Sequence, residues 1–125
     1  MKKGVFLVWI ALFLIAGFIF AASPQKIAVA ANDKSPSSVV SGQAGRANYY
    51  LIFDGKGKLI EAVGNPFKDK EGAGKLLADF LAVKGVTVIV AEGFGGPIVE
   101  VMKGKGIKTV SFKGNVEKAV LRVLE

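Results

Sequence analysis

Val86-Thr-Val-Ile-Val-Ala-Glu-Gly-Phe-Gly-Gly-Pro97 decides the architecture. Its first five residues are β-branched and almost continuously apolar, as in a strand buried on both faces of a parallel sheet. Glycines at 93, 95 and 96 then turn the chain, and Pro97 stands where a helix favours proline, at its first position. Ile98, Val99, Val101 and Met102 follow at spacings that predict an inward helical face. Gly104 and Gly106 close that helix, and Ile107 to Phe112 reads as the next strand.

Working backwards, Gly74 to Lys84 places Leu76, Leu77, Phe80, Leu81 and Val83 at helical spacing, with Gly85 as the stop. Lys58 to Val63 pairs across the turn Asp54-Gly-Lys-Gly57 with the aromatic strand Asn48 to Phe53. Alternation along that strand turns one of Tyr49 and Tyr50 into the core and the other outward. Lys26-Ile-Ala-Val-Ala-Ala31 reads as a buried first strand, and Asn32 to Gly45 as a long polar loop. At the other end, Asn115 caps a last helix carrying Val116, Ala119, Val120, Val123 and Leu124. The order is β-β-β-α-β-α-β-α, an α/β fold with a mixed five-stranded sheet and helices on its faces.

Ahead of this domain stands Met1-Lys2-Lys3, then an uncharged apolar run from Gly4 to Ala22. Residues 1–23 are read as a signal peptide or an N-terminal membrane anchor, and residues 24–125 as the domain. The run is longer than a usual signal core and approaches the ~20 residues that span a bilayer. Lysines on the cytoplasmic side orient the rest of the chain outward, periplasmic or secreted. If residues 4–22 are not removed, they contact the membrane.

Among 125 residues there is no cysteine and no histidine. Disulfides, thiolate or imidazole metal ligation, and cysteine or histidine catalysis are therefore excluded together. The net charge of +7 favours anionic partners, and without Lys2 and Lys3 the remainder still carries +5. Gly72-Ala-Gly-Lys75 fails as a phosphate loop, with Asp69 where glycine is needed and Leu76 in place of Ser or Thr. Gly93-Phe-Gly-Gly96 fails as a dinucleotide fingerprint because Ile98 takes the third glycine position. The first strand holds no carboxylate, which argues against a two-metal nuclease.

Several strings, in order, resemble the nitrogenase iron–molybdenum cofactor biosynthesis family, the NifX/NafY-like domain also found at the end of NifB. They are Lys26-Ile-Ala-Val-Ala, Ser41-Gly-Gln-Ala-Gly-Arg46, Tyr49 to Asp54, Gly85 to Gly96 and Gly106-Ile-Lys108. The resemblance implies a ribonuclease H-like three-layer α/β/α fold. It also implies binding or carriage of an iron–sulfur or iron–molybdenum cluster rather than turnover. The family's His-Phe-Gly-Arg loop reads Gln43-Ala44-Gly45-Arg46 here, and a second histidine-bearing stretch reads Glu71-Gly-Ala-Gly74.

The loops after the first and central strands are expected at one sheet edge, the crevice where open α/β sheets bind ligands. The candidate ligand-binding residues are Gln43, Gly45, Arg46, Gly93, Phe94, Gly95 and Gly96, with no catalytic and no metal-ligating residue assigned. Free amides at the start of the Pro97 helix attract an anion, and Arg46 offers a planar donor fork. The expected function is a non-enzymatic, exported binding or carrier domain for an anionic small ligand or metal cluster, with no nucleic acid partner. The alternative is an extracytoplasmic protein-interaction module with a degenerate pocket. The residues alone name no cofactor.

Overall fold

The computed structural model describes residues 25–125. The reading of residues 1–23 as signal or anchor lies outside the described residues. Five strands form one sheet: β1 (Ile27–Ala31), β2 (Tyr49–Phe53), β3 (Leu59–Gly64), β4 (Val88–Ala91) and β5 (Lys108–Ser111). Three helices accompany them: α1 (Gly74–Val83), α2 (Gly96–Gly104) and α3 (Val116–Leu124). The strand order is β3-β2-β1-β4-β5. β1, β2 and β3 make an antiparallel meander, while β4 and β5 run parallel to β1.

Strand periodicity divides the core between two faces. Ala28 and Ala30 of β1, Tyr50 and Ile52 of β2, and Ile89 and Ala91 of β4 point to the side covered by α1 and α2. There they meet Leu77, Ala78 and Leu81 of α1 and Ile98 and Met102 of α2. Ile27, Val29, Leu51, Phe53, Val88 and Val90 point the other way, onto Val116, Ala119 and Val120 of α3. Every residue of β1 is buried because α-helices cover both of its faces. The meander with parallel units, and Tyr50 inside with Tyr49 at the margin, follow the sequence reading.

Some expectations are corrected. Leu76 (47% exposed) and Val83 (89%) lie off the core stripe of α1, which is Leu77, Ala78 and Leu81. One helix on a flat sheet buries only a narrow stripe, so helical spacing alone overcounted. On α2, Val99 faces solvent and Val101 is only partly covered, leaving Ile98 and Met102 as the anchors. The strand expected from Val86 pairs only from Val88, because Val86 and Thr87 bond back to Leu81 and Lys26. Within the long loop, Ala44–Arg46 forms a short 3-10 turn, and Val40 bridges to Ala31.

Candidate functional site

β1 turns toward β2 on one side while β4 turns toward β5 on the other. Their carboxyl ends therefore flank a topological switch point, where open sheets leave a crevice. One hydrogen bond ties the first loop back to β1 and two more join it to the loop after β4. The Ser41 amide donates to the Ala30 carbonyl at 2.8 Å, Glu92 N–H to the Ser41 carbonyl at 2.9 Å, and Ala44 N–H to the Gly93 carbonyl at 3.0 Å. The approach is close enough that a Cβ on Gly93 would sit 3.0 Å from the Gly42 carbonyl oxygen. Gly93 is thus a contact point between backbones.

The 3-10 turn is held from two more directions. The buried Tyr50 hydroxyl donates to the Ala44 carbonyl. Burial pushes that hydroxyl well above the ordinary phenol pKa, so it remains a donor through the physiological range. Asn65, just past β3, donates through Nδ2 to the carbonyls of Gly45 at 3.1 Å and Ala47 at 3.0 Å. Its Oδ1 accepts from the Phe67 amide at 2.9 Å. No functional role was assigned to Asn65 from the sequence. Its reach to residues 18 and 20 positions away carries no local signal.

These constraints shape a cavity of about 260 Å³. Gln43, Gly45 and Arg46 form one wall, Gly95, Pro97 and Ile98 a second, and the segment Lys70–Gly74 a third. Ile98 is the floor: a Cβ on Gly45 or on Gly74 would come within 3.1 Å of its side chain. Four of the seven expected ligand residues, Gln43, Gly45, Arg46 and Gly95, line one cavity. Gly93, Phe94 and Gly96 do not line it. Phe94 is partly buried against the core beneath α1 and α2. The third wall was noted in the sequence only as Glu71–Gly74; Lys70 was missed.

Two helices begin at this cavity, α1 at Gly74 and α2 at Gly96. Neither start has a capping side chain, and neither has an acidic residue in its first turn. α3 is built in the opposite way: the Asn115 side chain accepts from the Lys118 amide, and Glu117 stands in the first turn. Both starts turn the positive end of a helix dipole toward the cavity, but at α2 Pro97 has no N–H and the Ile98 amide is taken by the Gly95 carbonyl at 3.1 Å, so that helix contributes its dipole and not first-turn amides. Arg46 and Lys70 add formal positive charge, and Glu71 is the one carboxylate on the lining. Among the described residues no hydrogen bond or ion pair engages the Arg46 guanidinium.

The donor set decides what kind of guest fits. With no histidine and no cysteine in the chain, no imidazole or thiolate can bond to a metal. Among the described residues no three acidic side chains gather as oxygen ligands. Apart from the Glu71 carboxylate, the charged groups on the lining, Arg46 and Lys70, are N–H donors. They suit the oxide or sulfide surface of an anion and not the metal within it.

The model of the family described as "Dinitrogenase iron-molybdenum cofactor" matches residues 25–125. The chain belongs to this family. Three solved structures place its fold in context. The apo form of the orange protein from Desulfovibrio gigas is 30% identical, covering 80% of this chain and 87% of its own, with a TM-score of 0.74. A provisional NifB protein from Thermotoga, solved by NMR, is 29% identical over 79% of this chain and 85% of its own, with a TM-score of 0.67. A provisional dinitrogenase from Methanocaldococcus jannaschii, 15% identical over 82% of this chain and 89% of its own, shares the fold at a TM-score of 0.58. No curated protein matches the chain.

Proposed function

We propose that this domain is a non-enzymatic carrier that holds a compact inorganic anion, an oxoanion or a preformed anionic metal–sulfur cluster, as cargo at the rim of its sheet. The observation that carries the reading is the convergence of two uncapped helix starts, Arg46 and Lys70 on one cavity. The cavity is smaller than the ~300–1,000 Å³ of organic-ligand pockets, which suits a small anion or one face of a larger cluster. Arg46 contributes a donor fork, Gln43 a neutral amide, and Gly45 and Gly95 room for close approach. Gly93 and Gly96 hold the loop that presents them.

The strand order and the β1–β3 meander support a ribonuclease H-like reading of the fold. Family membership supports a metal cluster as the cargo. Lys2, Lys3 and the apolar run Gly4–Ala22 support an extracytoplasmic location.

The test is titration of the full chain in detergent with tetrathiomolybdate and with molybdate, followed by absorbance and equilibrium dialysis. Saturable uptake is expected, weakened about 10- to 100-fold by Arg46→Ala, the size of a charge-assisted hydrogen-bond pair. Uptake unchanged by Arg46→Ala removes that residue from the site. A protein that takes up neither anion leaves the interaction-module reading in its place.

A further inference from the structure

The edge of the sheet opposite the cavity is different in charge. One row of paired residues crosses it: Leu59, Phe53, Ile27, Val88 and Lys108. The hairpin turn after Phe53 and the ends of all three helices lie beyond this row. Two ion pairs there are internally neutral, Lys84 with Glu61 at 2.9 Å and Lys105 with Asp79 at 2.7 Å. The cations outside these pairs are Lys56, Lys58, Lys103 and Lys108, with Lys26, whose Nζ donates to the Lys84 carbonyl at 2.8 Å, and Arg122, stacked on the Phe112 ring, against Asp54, Glu125 and Glu117, which shares a recess with Lys56. Asp54 is turned inward on its own loop, its Oδ1 accepting from the Lys56 and Lys58 amides, each at 2.9 Å. That turn presents both lysine side chains outward, and both are exposed. The cavity edge holds its own cations, Lys34, Arg46, Lys68, Lys70, Lys75 and Lys113, interleaved with Asp33, Asp69, Glu71 and Glu92.

Gln25, where the described chain begins, lies on this basic edge. Its backbone is 3.5 Å from where a Cβ on Gly55 of the hairpin turn would stand. Beside it is a recess of about 380 Å³ lined by Gln25, Lys108, Arg122 and Glu125 together with Val88, Val110 and Val123. The apolar run ends at Ala22, so three residue steps separate it from Gln25. Those steps reach at most ~11 Å even fully extended. The screening length is about 8 Å at physiological salt and about 30 Å at 0.01 M, so charges on this edge feel a headgroup layer at the end of the run, most strongly at low salt. Val83, almost fully exposed beside Lys84, adds an apolar tip of the kind that enters a lipid interface.

We propose that this basic edge is a membrane-apposed face that rests on anionic phospholipid headgroups. The fold then stands with its cavity turned away from the bilayer and open to the aqueous side. The proposal rests on reading Gly4–Ala22 as a retained anchor. Lysines close to an anionic surface bind its phosphates cumulatively, and the position of Gln25 brings this edge, not the cavity edge, to that surface.

The chain has no cysteine, so single-cysteine reporters are clean. The full chain is reconstituted in nanodiscs with one part phosphatidylglycerol to two parts phosphatidylcholine, or phosphatidylcholine alone. A fluorophore is placed by Lys103→Cys on the basic edge or by Lys68→Cys on the opposite edge. Quenching by a headgroup-bound spin label reports distance from the lipid. Expected is strong quenching at 103 and little at 68 in the anionic discs, with the quenching at 103 lost in neutral discs and in high salt. Lys56→Glu with Lys58→Glu, both in an exposed turn, should reduce the apposed fraction relative to the detached one by at least about fivefold per lysine. Equal quenching at both positions, or quenching at 103 that ignores lipid charge, overturns the proposal. A chain that does not stay in the disc overturns the anchor reading and this proposal together.

Discussion

Replacing Tyr50 with Phe deletes one oxygen and leaves the ring. Tyr50 is fully buried in the core beneath α1 and α2, and its hydroxyl donates to the carbonyl of Ala44, which is also fully buried. Phe fills nearly the same space, so the main loss is one hydrogen bond, with an acceptor left behind that water cannot reach. An orphaned buried acceptor costs about 1–3 kcal/mol. With a urea dependence of about 1–1.5 kcal/mol per molar for a domain of this size, the unfolding midpoint should fall by about 0.7–3 M at pH 7.

Alkaline pH provides the decisive control. Burial raises the pKa of Tyr50 in the folded protein above its unfolded value of about 10. Above pH 10 the unfolded chain loses this proton while the folded chain keeps it. Stability from this group is therefore intact below pH 10 and lost as pH rises toward the folded value, at about 1.4 kcal/mol per pH unit. Tyr50→Phe has no such proton. The gap between the two proteins should be full at pH 7 and 9, then close within about one to two units above pH 10. Urea titrations followed by far-ultraviolet circular dichroism at pH 7, 9, 10.5 and 11.5 measure it. A gap that stays constant across that range refutes the account of a neutral, buried donor holding the cavity-edge turn.

Gly93→Ala should destabilise by about 1–3 kcal/mol, because its Cβ would press on the Gly42 carbonyl oxygen at 3.0 Å and part the two loops; thermal unfolding and loss of thiomolybdate uptake should appear together. Asn115→Ala should cost about 1 kcal/mol by removing the cap on the Lys118 amide, with uptake unchanged because α3 lies across the sheet. Lys105 beside Asp79 holds that carboxyl below the usual carboxylate range. Its contribution is present above pH 3.8 and is lost as pH falls through the depressed folded value, so the small deficit of Asp79→Asn in denaturant should vanish in acid.

The elements of this fold are legible in the chain because they depend on neighbours a few residues away. β-branched continuity marks Val88–Ala91, aromatic alternation sorts Tyr50 from Tyr49, and Asn115 announces α3. The depth of each helix in the core was not legible. Leu76, Val83 and Val99 satisfy helical spacing yet face solvent, since the width of the buried stripe depends on the surface opposite. For the cavity, the chain offered Gln43, Gly45, Arg46 and Gly95, because glycines and a basic residue after strands have local causes. It did not offer Lys70 as a wall, Asn65 as a clamp or Ile98 as the floor. Those three meet Gly45 and Arg46 only because the strands are ordered β3-β2-β1-β4-β5, which brings the end of β3 and the starts of two helices to one edge. Sequence alone determined the elements, the anion-favouring charge and the lack of imidazole and thiolate ligands, which are local or compositional properties. Tertiary structure alone decided which loops meet and which edge carries the unpaired lysines, because adjacency in a sheet joins residues that the chain keeps far apart.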